Sequence, residues 1–249
     1  MTLQALSFDV DGTLAETERD GHRVAFNAAF ADAGLSWHWD VALYGELLAV
    51  TGGKERMHHY IARWQPDDVP TGDIADFVAR LHAAKTAHYV RCVESGALRL
   101  RPGIARLIHE ARAASLPLAI ATTTTAENVH ALLTATLGAD SPAWFAAIGA
   151  GDVVPRKKPA PDIYQWVLWA LGLKAADCLA IEDSAAGLAA ARAAGAPTVV
   201  TVSEYTAGQD FSGALAVVAD LDAGKTDLAT LQRWHANVSA KNYGEDKKM

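Results

Sequence analysis

The sequence predicts an α/β chain, a parallel sheet core interrupted after its first strand by an inserted all-helical cap domain. Three observations lead there. Short aliphatic runs recur with helix-length segments between the later ones, the first run ends on a pair of aspartates, and about 80 residues pass before the alternation resumes at Arg101-Pro102-Gly103. Runs this short and this uniformly apolar fit strands covered on both faces, the pattern of a Rossmann-like sheet.

The expected strands are Leu6 to Val10, Leu118 to Thr122, Ala146 to Ala150, Cys178 to Ile181 and Pro197 to Val202. Helices are expected from Pro102 to Ala114, Thr125 to Leu137, Pro161 to Leu171 and Ser184 to Ala194, the last opening on a serine cap and closing on Gly195. Within the insertion, Phe26, Ala29, Phe30 and Ala33 share one helical face before Gly34, and Ile74, Phe77, Val78, Leu81 and Ala84 repeat the pattern. The expected division is a core of residues 1–15 and 96–249 and a cap of residues 16–95. Linkers near Leu14 to Thr17 and Glu94 to Leu100 join them, and the polar tail from Ala240 to Met249 is expected to fray.

With 51% apolar residues and a net charge of -7 over 249 residues, the composition excludes a disordered, collagenous or disulfide-stapled chain. No apolar run reaches the roughly 18 residues of a membrane helix, and the first residues lack the basic region and cleavage site of a signal peptide, so no membrane partner and a cytoplasmic location are expected. Cys92 and Cys178 stand in apolar stretches without a further ligand at metal spacing and read as buried thiols. An acidic chain without a Lys/Arg stripe is not expected to bind nucleic acid. Without a heptad pattern or an apolar seam, a monomer is the default.

The chemistry concentrates at strand ends. Phe8-Asp9-Val10-Asp11-Gly12-Thr13-Leu14 puts two carboxylates two residues apart where a strand stops, so both aim to one side, and Gly12 allows a tight turn. Such a pair suits a divalent metal or a nucleophile with an acid/base partner; the alternative is two aspartates capping a solvated turn. Glu182-Asp183 ends another strand, and hard oxygen ligands gathered from two strand ends suit Mg²⁺, the lesser alternative being that Asp183 caps the next helix. Thr122-Thr123-Thr124-Thr125 follows a third strand, where a hydroxyl donates to a phosphoryl oxygen or caps a helix; Thr122 is the favoured candidate. In Arg156-Lys157-Lys158-Pro159-Ala160-Pro161-Asp162 a rigid loop carries fixed positive charge to the rim of an acidic molecule, with Lys158 read as functional and Lys157 as solvated. His58 and His59 are adjacent, point to different sides of a helix and suggest no metal site. Asn128 would reach a phosphate from the first turn of its helix or simply be exposed.

These four segments, in this order, resemble the four motifs of the haloacid dehalogenase superfamily. The resemblance implies that Asp9 attacks a phosphoryl phosphorus, that Asp11 protonates the leaving alcohol and then activates water, and that Thr122 and Lys158 hold the transferring group. It also implies Mg²⁺ bound by Asp9, the backbone carbonyl of Asp11 and Asp183, with Glu182 at or behind the ion. Two aspartates in the first motif follow the phosphatase and phosphomutase pattern rather than that of the dehalogenases, and a helical insertion directly after it resembles the subgroup with β-phosphoglucomutase and phosphoglycolate phosphatase.

The cap must then read the substrate. Thr51-Gly52-Gly53-Lys54-Glu55-Arg56-Met57 combines two glycines that admit a ligand to the backbone with two cations; by charge pattern it is equally a loop and a solvated helix start. The string resembles that of the CbbY-type sugar phosphatases, as does Glu16-Thr17-Glu18 followed by His22-Arg23, with Arg19-Asp20-Gly21 departing from the expected apolar helix start. Members of that group in carbon-fixing organisms remove the 1-phosphate of xylulose 1,5-bisphosphate, a misfire product of Rubisco in the Calvin cycle. The resemblance thus implies a small phosphorylated sugar as substrate, its distal phosphate on Lys54 or Arg56, and sugar hydroxyls near Glu16 and His22, with Gly52, Gly53 and Thr123 also in contact; His22 would equally be a satisfied interfacial histidine. Trp37, Trp39 and Tyr44 line the cap or form its core. A phosphomutase, a phosphoglycolate phosphatase and a non-catalytic binding relative are the alternatives.

Overall fold

In the computed structural model, which describes residues 2–223 and 225–245, six parallel strands form one sheet in the order β3-β2-β1-β4-β5-β6. They are β1 (Ala5–Phe8), β2 (Leu118–Ala121), β3 (Phe145–Gly149), β4 (Cys178–Glu182), β5 (Thr198–Thr201) and β6 (Ala216–Val218). The first five lie within a residue or two of their expected positions. The sixth, three residues long on the sheet edge, has too little pattern to be read from sequence.

Alternation along these strands explains how the sheet is covered. Leu6, Phe8, Leu118, Ile120, Leu179 and Ile181 point to one face, packing with Ile104, Leu107 and Ile108 of α5 (Ile104–Ala113) and Val129, Leu132 and Leu133 of α6 (Ala126–Leu137). Ala119, Ala121, Ala147 and Ala180 point to the other, where small side chains let α7 (Asp162–Leu171) and α8 (Ala185–Ala193) approach closely. Thr125 and Ser184 cap α6 and α8 through their side chains, accepting from Asn128 N–H and Gly187 N–H.

Register positions the site. Phe8 pairs with Ile120 on one side and Ile181 on the other, so β1, β2 and β4 end at one level. Strand order reverses between β1 and β4, the switch point where open α/β sheets bind ligands. Asp9, Thr122 and Asp183 therefore emerge together.

Between Ala15 and Leu100, which bridge each other in antiparallel fashion, the chain holds only helices. A π-helical turn, Glu18–His22, runs into α1 (Arg23–Asp32), followed by α2 (Val41–Leu47), α3 (Gly53–Trp64) and α4 (Ile74–Glu94). Phe26, Phe30, Trp37, Trp39, Tyr44, Met57, Phe77 and Leu81 build a second core within this insertion. Trp37 and Trp39 are thus packing residues, stacked through edge and tilted ring contacts with Phe30 and Tyr60.

Three expectations need correction. Cys92 is only half-buried, its thiol facing the Asp20 carbonyl at the helix surface, whereas Cys178 is buried. A ninth helix, α9 (Leu228–Glu245), runs into the tail expected to fray from Ala240, and residues 246–249 lie outside the described residues. Asn128 is buried, donating to Thr124 Oγ1 (2.9 Å), rather than exposed. Among the described residues no helix is long and apolar enough to cross a membrane.

Candidate active site

Asp9 follows β1 directly, its N–H donating to Ile181 O (3.0 Å). The cis-peptide loop before α7 delivers Lys158, whose Nζ donates to both Asp9 Oδ1 and Glu182 Oε1 at 2.6 Å. Tyr164, from α7, donates to the same Glu182 oxygen, and Asp183 Oδ2 accepts from Ser203 Oγ (2.7 Å). Two glycines make this crowding possible. Gly12 has φ +80°, and a β-carbon there would lie 2.1 Å from Asp183 Oδ2; one on Gly187 would lie 1.9 Å from Glu182 Oε2.

Oxygens of Asp9, Glu182 and Asp183 all lie within 4.8 Å of one another, buried, with one ammonium among them. Burial, aided by the Glu182 and Asp11 charges, pushes Asp9 up to about 7 despite the opposing pull of Lys158. Burial and the Asp9 and Glu182 charges lift Asp183 well above the usual range. Lys158 is raised as well: burial disfavours its charge, but Asp9 and Glu182 outweigh that and hold it protonated. Three carboxylates against one cation leave an excess of buried negative charge, and all the donors are hard oxygens. That set fits a divalent cation such as Mg²⁺.

Asp11 belongs to a second network. Its Oδ1 accepts from Thr17 Oγ1 (2.5 Å) and lies 2.8 Å from His22 Nε2, while His22 Nδ1 lies 2.7 Å from Lys85 Nζ. With Lys85 charged, one proton arrangement is consistent: Nζ donates to Nδ1 and Nε2–H donates to Asp11. The π-helical turn presents Thr17 and His22 to the same carboxylate, and Tyr89 of α4 stacks on the imidazole with centroids 4.1 Å apart. Burial alone would raise Asp11, yet His22, Thr17 and Lys85 hold it down at about 2. Burial lowers Lys85 to about 8 against the attraction of Asp11 and Glu18.

A cavity of about 200 Å³ lies between the strand ends and the inserted helices, lined by Asp9, Asp11, Lys158 and Asp183 on one side and Glu18, Thr51 and Arg56 on the other. A smaller adjoining pocket is lined by His22, Gly52, Gly53, Arg56, Lys85 and Thr123. Gly52, at φ +92°, starts α3. Arg56 is buried, donating from Nε to the carbonyls of Leu47 (3.2 Å) and Val50 (3.3 Å) and from Nη1 to Tyr44 Oη (2.9 Å), 3.9 Å from Glu18.

The structure separates the sequence-derived candidates. Asp9, Asp11, Lys158, Glu182 and Asp183 come together, and His22, Gly52, Gly53, Arg56 and Thr123 face the two cavities. Thr122 is buried behind them, its hydroxyl accepting from Thr124 N–H (3.3 Å); of the four threonines, Thr123 lines both cavities and Thr124 the smaller one. Glu16 is corrected: it pairs with Arg101 (3.0 Å) at the linkers and lines neither cavity, its place being taken by Glu18. Lys54 is corrected likewise: it is held 2.7 Å from Asp152 on the core, where Lys157 also binds at 2.8 Å, one residue being shared by two ammonium groups. Lys85, Ser203 and Tyr205 carried no sequence motif, and the only signal of Lys85 was a lysine inside the apolar stripe of a helix.

A family model of haloacid dehalogenase-like hydrolases matches residues 3–195. Protein CbbY from Cupriavidus necator is 53% identical over 247 residues, covering 94% of this chain and 97% of its own length. Two crystal structures of CbbY from Rhodobacter sphaeroides share the fold. The complex with phosphate has a TM-score of 0.86 at 44% identity, and a mutant in complex with xylulose-(1,5)bisphosphate has 0.87 at 43%; each covers 92% of this chain and 99% of the solved one.

Proposed function

Because the chain belongs to the haloacid dehalogenase-like hydrolases and is a phosphatase, we propose that it removes one phosphate from a small sugar phosphate, with xylulose 1,5-bisphosphate as substrate and xylulose 5-phosphate as product. One observation carries this reading: a carboxylate and a lysine in direct contact at one end of a cavity whose other wall offers a second buried cation, Arg56. The crystal complex of a similar protein with that bisphosphate supports it.

In the first step Asp11, which takes a proton from solvent as the phosphoryl dianion settles beside it, gives that proton to the departing alkoxide while an Asp9 oxygen attacks phosphorus and the bond from phosphorus to the sugar oxygen breaks. Water then attacks the aspartyl-phosphate, the bond from phosphorus to Asp9 breaks, and Asp11 takes the water's proton, which restores the acid for the next turnover. A phosphoryl dianion beside Asp11 raises its proton affinity above that of the empty site, while Thr17 and His22 fix its orientation. Lys158 neutralises phosphoryl oxygens with Thr123, which lines both cavities from the end of β2, and Arg56 takes the distal phosphate. Asp9, Asp183 and the Asp11 carbonyl would hold Mg²⁺ with Glu182 behind them. The ion supplies charge neutralisation for the transferring group. The helical insertion, residues 16–95, acts as a cap that closes to exclude water.

The test is phosphate release with Mg²⁺ from xylulose 1,5-bisphosphate, ribulose 1,5-bisphosphate, phosphoglycolate and β-glucose 1-phosphate. A kcat/KM preference of about a hundredfold for xylulose 1,5-bisphosphate, roughly 2.7 kcal/mol of discrimination, is expected. Equal activity on phosphoglycolate would sink the substrate assignment, and conversion of β-glucose 1-phosphate to an isomer without phosphate release would identify a mutase.

Metal dependence should follow pH. Without metal, the folded chain keeps a proton on Asp9 up to about 7 that the unfolded chain has already lost, so this group's stabilisation fades as pH rises through that window. Mg²⁺ binds the deprotonated carboxylates. Its addition should therefore raise Tm more at about pH 8 than at about pH 5.5. Equal Tm shifts at both pH values would mean that the acid cluster is not where the ion binds.

A further inference from the structure

One wall of the cavity belongs to a core segment without a sequence motif, residues 203–209 after β5. Its ends are tied to the acid cluster and its flank: Ser203 donates to Asp183 (2.7 Å), and Gln209 Oε1 accepts from Ala185 N–H (2.7 Å) at the start of α8. Its middle reaches the cap. Glu204 pairs with Arg19 at 2.8 Å, and the Tyr205 ring stands edge-on to Tyr44, centroids 6.1 Å apart, directly over Gly45.

Gly45 lies inside α2, where alanine would be the better helix former. A β-carbon there would stand 3.2 Å from both Cδ1 and Cε1 of Tyr205, closer than ordinary van der Waals contact. The bare glycine thus forms a seat for the ring. The tyrosine hydroxyl adds only a 3.5 Å contact to the Val41 carbonyl, so the ring is what occupies the space. Gly45, Leu48 and Ala49 from the cap and Tyr205 and Thr206 from the core line the same cavity as Asp9 and Asp183.

We propose that Tyr205 is a specificity-determining residue: seated on Gly45, its ring closes the cap-side end of the cavity and limits the length of the phosphorylated substrate that the closed site admits. The inference rests on the reading of this cavity as the phosphatase site. Because Tyr205 and Asp9 line the same cavity, a substrate with its reacting phosphate at Asp9 that is long enough to fill the cavity meets this ring, which rejects further length by steric exclusion.

The experiment compares kcat/KM along two series of rising length, sugar phosphates and straight-chain alkyl phosphates, for the wild type, Tyr205→Ala, Tyr205→Phe and Gly45→Ala, with Tm measured for each. Tyr205→Ala should raise the long-to-short ratio about tenfold or more. Tyr205→Phe should keep the wild-type ratio. Gly45→Ala, whose β-carbon makes the ring give by a few tenths of an ångström, should change the ratio by less than Tyr205→Ala does. A length profile unchanged by Tyr205→Ala in both series, with Tm showing a folded protein, overturns the proposal. A wild type active on alkyl phosphates but on no sugar phosphate instead defeats the sugar-phosphatase reading and leaves the length test standing on the alkyl series.

Discussion

Asp9→Asn should lower kcat for phosphate release by about 10⁴-fold or more and at the same time raise the Tm of the metal-free protein. The two effects have one origin. An amide of the same shape cannot form the acyl-phosphate, so the covalent route is lost, and nucleophile removals in other enzymes set that scale. The same substitution removes one of three buried carboxylates that crowd within 4.8 Å of one another around a single ammonium. Asp9 is pushed up to about 7 by burial and its acidic neighbours, which measures how reluctantly the fold holds that charge. Catalytic sites store such unfavourable electrostatics. Steady-state kinetics and thermal melts in the presence of chelator read both effects. A kcat within tenfold of wild type would remove Asp9 as nucleophile, and a falling Tm would mean that its bond to Lys158 outweighs the repulsion.

Lys158→Met should be damaging in both respects. The ammonium is buried with two charge-assisted bonds of 2.6 Å, and methionine leaves Asp9, Glu182 and Asp183 with no counter-charge. Breaking a buried pair from one side costs about 3–5 kcal/mol. Loss of a donor to the transferring phosphoryl group should cost a further 10²–10³-fold or so in kcat. Because the orphaned carboxylates gain protons as pH falls, the stability deficit should shrink from about pH 8 to about pH 5. Asp9→Asn in the Lys158→Met background should recover part of the lost Tm, a non-additivity that denaturation of the four proteins measures. Additive effects would show that the two side chains do not act as a pair.

The core was legible because its signals are local. A strand of β-branched or aliphatic residues, a turn glycine and an acid at the strand end all fall within seven residues, and Phe8-Asp9-Val10-Asp11-Gly12-Thr13-Leu14 is enough to orient two carboxylates. Glu182-Asp183 and Lys158 are read the same way. Parallel pairing then brings them together, since in-register strands that end at one level carry their next residues to one place.

The cap side depended on geometry that no short string contains. Glu16 and Glu18 differ by two positions, and the linker bridge at Ala15 with the π-helical turn that follows sends the first to Arg101 and the second into the cavity. Lys54 and Arg56 also differ by two, and a helix starting at Gly53 turns about 200° between them, one toward Asp152 on the core and the other inward to Tyr44. Lys85 meets His22 across 63 residues, and Tyr205 meets Gly45 across the divide between cap and core. From sequence alone, this protein's fold class and the strand-end carboxylates and lysine that meet in its acid cluster were determined, because each is encoded by residue type and spacing within one element. Which cap side chains face the substrate was decided only by tertiary packing, because helix phase and domain contact, rather than residue identity, choose which of two neighbouring charges turns inward.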